Sequence, residues 1–112
     1  MIDVKQFMQK NNLAILAEAD VKEKMFHIYK INIELQSYDL FEQLILFGSV
    51  ENIQHSIFEQ LLPRIWTQGD TKCVICRPTE EKIVCMFYDT KLGAIENYYY
   101  AKKLCDELTK EV

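Results

Sequence analysis

The sequence predicts an α+β fold: a five-stranded antiparallel sheet with the order strand, strand, helix, strand, strand, strand, helix, preceded by an N-terminal helix or extra strand. Three observations carry it. Residues 29–36, "YKINIELQ", alternate apolar and polar side chains with the period of a half-buried strand. Residues 64–88 hold three β-rich runs separated by turn-forming residues. Two further stretches repeat apolar residues every three or four positions, the period of an amphipathic helix. The 112 residues are long enough for one core and too short for two, so residues 1–112 are expected to form a single domain.

At the N-terminus, "LAILAEA" (13–19) can continue a helix or form an extra strand; alanine and glutamate favour helix, and Asn11-Asn12 favours a break. In "YKINIELQ", Tyr29, Ile31, Ile33 and Leu35 share one face. The next run, "DLFEQLILFG" (39–48), is compatible with a short helix, and a strand ending at Gly48 is preferred because Tyr38-Asp39 sits where a hairpin would turn. Val50, Ile53, Ile57 and Leu61 then mark a helix over 50–62, with Ser49 as its N-cap and Pro63 as its stop. Arg64–Thr67, "TKCVICR" (71–77) and "KIVCMFY" (82–88) form a three-strand meander with turns at Gly69-Asp70 and at "PTEE". "KIVCMFY" is apolar at odd and even positions alike, as in a central strand covered on both faces. A final helix, entered through "DTKLG", presents Ala94, Tyr98, Ala101, Cys105 and Leu108 as its stripe.

Several function classes are excluded. A net charge of −4 and a pI near 5.2 oppose the basic footprint of a nucleic-acid binder. The first ten residues lack the apolar core of a secretory signal, and "QLILFGSV" (43–50) falls far short of the roughly 20 residues that cross a bilayer. A cytoplasmic protein with reduced thiols is expected. "CVIC" (73–76) is the best candidate for chemistry, as a redox pair or half a zinc site. Such motifs work only where the backbone turns so that the sulfurs converge. In a strand, residues three apart face opposite ways. Cys85, Cys105, His27 and His55 are isolated, and Gly48, Gly69 and Gly93 form no phosphate loop. Neither an enzyme nor a cofactor or metal is therefore expected. Around a helix, Tyr98, Tyr99 and Tyr100 fan over roughly 200 degrees, so at least one ring should lie outside the core.

The stretch from Arg64 to Leu108, "RIWTQGDTKCVICRPTEEKIVCMFYDTKLGAIENYYYAKKLCDEL", resembles the C-terminal half of bacterial and archaeal Roadblock (dynein light chain) proteins, whose architecture is shared with profilin-like and longin domains. Arg77-Pro78 and Leu92-Gly93 stand at the matching places. Upstream the pattern departs: polar "ELQSYD" replaces a small-residue turn, and the first 24 residues match no part of it. The resemblance implies a non-enzymatic homodimeric platform, an adaptor or regulator of a small Ras-like GTPase. Such a sheet has an edge strand, and the helix over 50–62 carries a second stripe, Phe58 and Leu62, beside the one facing its own sheet. Phe58, Leu62, Ile65 and Trp66 are thus the expected protein interface. The alternatives are a cysteine-based redox or metal-binding protein using Cys73 and Cys76, and a small-ligand-binding domain built around Tyr98 to Tyr100.

Overall fold

The computed structural model describes residues 3–111 and has the expected class, an antiparallel five-stranded sheet with helices. The elements are α1 (Val4–Lys10), β1 (Ile15–Asp20), β2 (Met25–Lys30), α2 (Asp39–Phe41), α3 (Val50–Ser56), β3 (Arg64–Gln68), β4 (Thr71–Thr79), β5 (Lys82–Asp89) and α4 (Ala94–Glu111). The helical path of α2 continues as a wider π-turn over Glu42–Leu46. The strand order is β2-β1-β5-β4-β3. An N-terminal hairpin and a C-terminal meander meet at the β1–β5 junction, and the helical segment between β2 and β3 carries the chain from one edge of the sheet to the other.

Alternation along the central strands feeds two cores. Ile15, Ala17, Ala19, Cys73, Ile75, Ile83, Cys85 and Phe87 face one side, where Leu40, Phe41, Ile45, Val50 and Ile53 of the helical crossover cover them. Leu16, Val74, Cys76, Val84, Met86 and Tyr88 face the other, under Phe7 and Met8 of α1 and Ala101, Leu104, Cys105 and Leu108 of α4. The result is three layers. Burying a side chain the size of Phe87 or Leu104 in either core contributes about 1.5–3 kcal/mol.

The first half of the chain differs from expectation in its boundaries. The break falls just before residues 13–19, which hold the strand: Asn12 takes a left-handed φ of 55°, ends the α1 turn, and releases β1 into the sheet. Ala17 and Ala19 are fully buried, and tertiary packing overrides alanine's helix preference. The first hairpin is therefore β1–β2, with Ile15 opposite Lys30 and Asp20 opposite Met25. The predicted strand over 29–36 keeps only Tyr29 and Lys30. Its alternation is broken by a change of face: Tyr29 and Ile31 pack into the α1/α4 core and Leu35 into the other, so the segment crosses the end of the sheet.

The run 39–48, expected to be a strand, is helical. Leu40, Phe41, Leu44 and Ile45 fall on one helical face, and the Phe47 amide donates to the Glu42 carbonyl at 2.8 Å to close the π-turn. Helix α3 begins as expected, with Ser49 Oγ accepting from the Asn52 amide at 3.1 Å. It stops at Ser56 rather than 62, because Ile57 turns inward and Glu59 takes a left-handed φ of 58°. β4 runs through Pro78 to Thr79 with an irregular register after Cys76, and the turn falls at Glu80-Glu81. Pro78 has no amide to give a regular ladder. The buried face of α4 is Asn97, Ala101, Leu104, Cys105 and Leu108, so Ala94 and Tyr98 lie off the stripe expected for them.

Candidate functional interface

The candidate surface lies around β3, whose outer edge has no neighbouring strand among the described residues. Ile65 and Trp66 sit opposite Val74 and Cys73 of β4. Because strand side chains alternate, they lie on opposite faces: Trp66 packs against the α2/α3 core and Ile65 against the α1/α4 core, both half-buried. The Arg64 guanidinium lies 5.0 Å from the Trp66 ring centroid, a cation–π contact. The Trp66 indole Nε1–H is buried without an acceptor among the described residues.

The segment joining α3 to β3 carries the remaining apolar groups. Phe58 is 70% exposed and Leu62 38% exposed, and Leu61, which the helical spacing assigned to the buried stripe, is 95% exposed. Phe58 lies with Glu51, Gln54 and His55 on the outer side of α3. Leu62 and Pro63 lie on the opposite side of the sheet, against α4 near Lys102 and Cys105. Of the four residues expected as an interface, Ile65 and Trp66 lie in β3 on opposite faces of the sheet, Phe58 lies beside α3, and Leu62 lies toward α4. Leu61 is the most exposed apolar side chain of this segment; its exposure was hidden in the sequence by a helical period that continued past the point where the helix ends.

The thiols of "CVIC" point to opposite faces. Cys73 lies in one core beside Cys85, and Cys76 in the other beside Cys105. Burial and the neighbouring Cys85 push the Cys73 thiol well above its ordinary value. All four cysteines are free and buried. No cluster of three or more His, Cys, Asp or Glu side chains suited to a metal occurs among the described residues, and none of their helices is long and apolar enough to cross a membrane. The tyrosine run separates by angle: Tyr100 packs edge-on against Tyr88 and donates to the Asn11 carbonyl at 2.7 Å, while Tyr98 and Tyr99 are exposed and contact each other.

No protein-family model matches the sequence, and no curated protein matches it either. Among solved structures, the chain is similar to MglB of Myxococcus xanthus, with a TM-score of 0.53 and 13% identity, covering 94% of this chain and 87% of that one. It is also similar to an MglB with a tetrameric arrangement, with a TM-score of 0.56 and 8% identity over 95% of this chain and 82% of that one. At these identities the likeness concerns the fold, which is Roadblock-like from α1 to α4.

Proposed function

We propose that the protein is a non-enzymatic interaction module of the Roadblock type, a homodimer that serves as adaptor or regulator of a small Ras-like GTPase in the cytoplasm. The observation that carries this reading is the open β3 edge together with Phe58 and Leu61, 70% and 95% exposed in the segment that leads into it. Edge strands left unprotected invite pairing, and large exposed apolar groups around one edge mark a contact surface. The other edge, β2, exposes the smaller apolar pair Met25 and Ile28, next to a turn that carries exposed Lys22, Glu23 and Lys24. Two copies of β3 meeting antiparallel about a two-fold axis would continue the sheet, with Phe58, Leu62, Ile65 and Trp66 around the seam.

The similarity to an MglB with a tetrameric arrangement supports self-association, and the Roadblock resemblance supports a GTPase partner. The test is affinity capture from the native cytosol with tagged protein and tagged Phe58→Glu, followed by identification of what binds. Recovery of a small GTPase whose binding to the purified module depends on the bound nucleotide is the expected result. Saturable binding of a small metabolite with no protein partner would favour the ligand-binding alternative instead.

A further inference from the structure

The fold brings together two thiols that the sequence keeps far apart. Cys76 on β4 and Cys105 on α4 are neighbours, at 4% and 8% exposure. They open onto a shared groove of about 170 Å³ that is also lined by Pro63, Arg77, Lys102 and Asp106. Ala101 and Cys105 are the small residues of the buried face of α4 and let the helix backbone approach β4. Close approach is what a disulfide requires, since its Cα atoms stand about 4.4–6.8 Å apart. The second neighbouring pair, Cys73 and Cys85, is fully buried.

We propose that Cys76 and Cys105 form a reversible disulfide that ties β4 to α4 when the protein meets a peroxide. Cys105 is the more exposed of the two thiols and lines the groove beside Lys102, Asp106 and Arg77, so it is the one a peroxide entering the groove reaches first. Cys76 is the more buried of the two and lies in contact with Cys105, which places it as the resolving partner. In the first step Cys105 Sγ attacks one peroxide oxygen, the O–O bond breaks, and the departing hydroxide takes up the thiol proton as water, leaving a sulfenic acid. In the second, Cys76 Sγ attacks Cys105 Sγ, the S–O bond breaks, and the hydroxyl leaves with the Cys76 proton as a second water. Two thiols are oxidised and one peroxide is reduced to two waters. A dithiol reductant reverses the bond by exchange. The inference stands apart from the proposed dimer, although the bond would form directly behind Leu62 and Pro63.

The test is hydrogen peroxide treatment of the native protein, followed by denaturation, alkylation of the remaining thiols and peptide mapping. The expected product has one intramolecular Cys76–Cys105 link, a mass about 2 Da below that of the reduced chain before alkylation, and Cys73 and Cys85 as its alkylated thiols. Dithiothreitol should restore four thiols. Oxidation should also raise the melting temperature of the unmodified protein, because the link constrains the unfolded chain, and leave that of Cys105→Ala unchanged. Four free thiols after peroxide, a disulfide between molecules, a Cys73–Cys85 link, or sulfinic acid at Cys105 without the link would each overturn the proposal. The mapping uses the unmodified chain, so it decides the question even if Cys105→Ala folds poorly.

Discussion

Thr71 is fully buried, and its hydroxyl joins two parts of the chain: it donates to Asp89 Oδ1 at 2.5 Å and accepts from the Ser37 amide at 3.1 Å. Asp89 Oδ2 accepts from the Gln36 amide, and Gln36 Oε1 from the Asp70 amide. This network pins the irregular segment 31–37 to the sheet. Thr71→Val keeps the shape and leaves a carboxylate oxygen and an amide unpaired, so it should cost about 1–3 kcal/mol in urea unfolding. A second buried pair, the Tyr88 hydroxyl donating to Asn97 Oδ1 at 2.5 Å, carries a pH signature. Burial pushes the Tyr88 phenol above its ordinary value, and the neighbouring Tyr100 adds to this. The unfolded phenol ionises near pH 10, while the folded one stays neutral beyond it. The contribution of Tyr88 to stability is therefore full below about pH 10 and is lost progressively as pH rises further. Tyr88→Phe should make that alkaline limb shallower without removing it, since Tyr100 and the buried Cys73 and Cys76 thiols continue to contribute there. It should also lower stability at neutral pH by about 1–3 kcal/mol, because Asn97 loses its buried partner. Urea titrations at several pH values check both effects.

At the level of elements, Gly48 lets the chain leave the π-turn and enter α3. A Cβ there would sit on the Leu44 carbonyl of the preceding turn, and backbone cannot move aside as a side-chain end can. Gly48→Ala should therefore cost about 1–3 kcal/mol, as overpacking does, and lower the melting temperature without changing the helix content at low temperature. In sequence, Gly48 looked like the end of a strand. The contrast between the two halves of the chain has a physical cause. β4 and β5 are covered on both faces, so their continuous apolar runs and the Gly69 turn were legible, as was the Ser49 cap, which depends on neighbours three residues away. β1 was hidden because Ala17, Glu18 and Ala19 are helix formers that the sheet holds by burial. The β1–β2 turn was hidden because its left-handed position is Lys24, with φ 58°, where glycine or asparagine would have marked it; Asp20 holds the turn by accepting from the Glu23 amide. The departure from the Roadblock pattern at "ELQSYD" has the same origin, since the hairpin sought there lies upstream in residues that matched no part of the pattern. Trp66 and Phe58 could be singled out as surplus apolar groups. The neighbourhood of Cys76 and Cys105 could not, since no local period links positions so far apart.

For the whole molecule, the question that the proposed dimer raises is which surface a second copy would cover. β3 carries half-buried Ile65 and Trp66 and an indole N–H without an acceptor among the described residues, and the segment leading into it carries exposed Phe58, Leu61 and Leu62. A two-fold seam along this edge would bury about 1,200–2,000 Å² in total, the size of a stable interface. Choice of residue matters for the test. Trp66 also packs against the protein's own core, so Trp66→Glu should weaken fold and dimer together and cannot by itself separate them. Phe58 and Leu61 contribute little to the monomer's core at their exposures, and a glutamate there would place a charge in the seam at small cost to the isolated fold. Multi-angle light scattering at tens of micromolar should give the unmodified chain about twice its monomer mass of 13.3 kDa. Phe58→Glu with Leu61→Glu should give the monomer mass with circular dichroism unchanged. If the unmodified chain already scatters as a monomer at that concentration, the β3 edge is not a self-association surface, and the exposed apolar groups beside it must be assigned to a different partner.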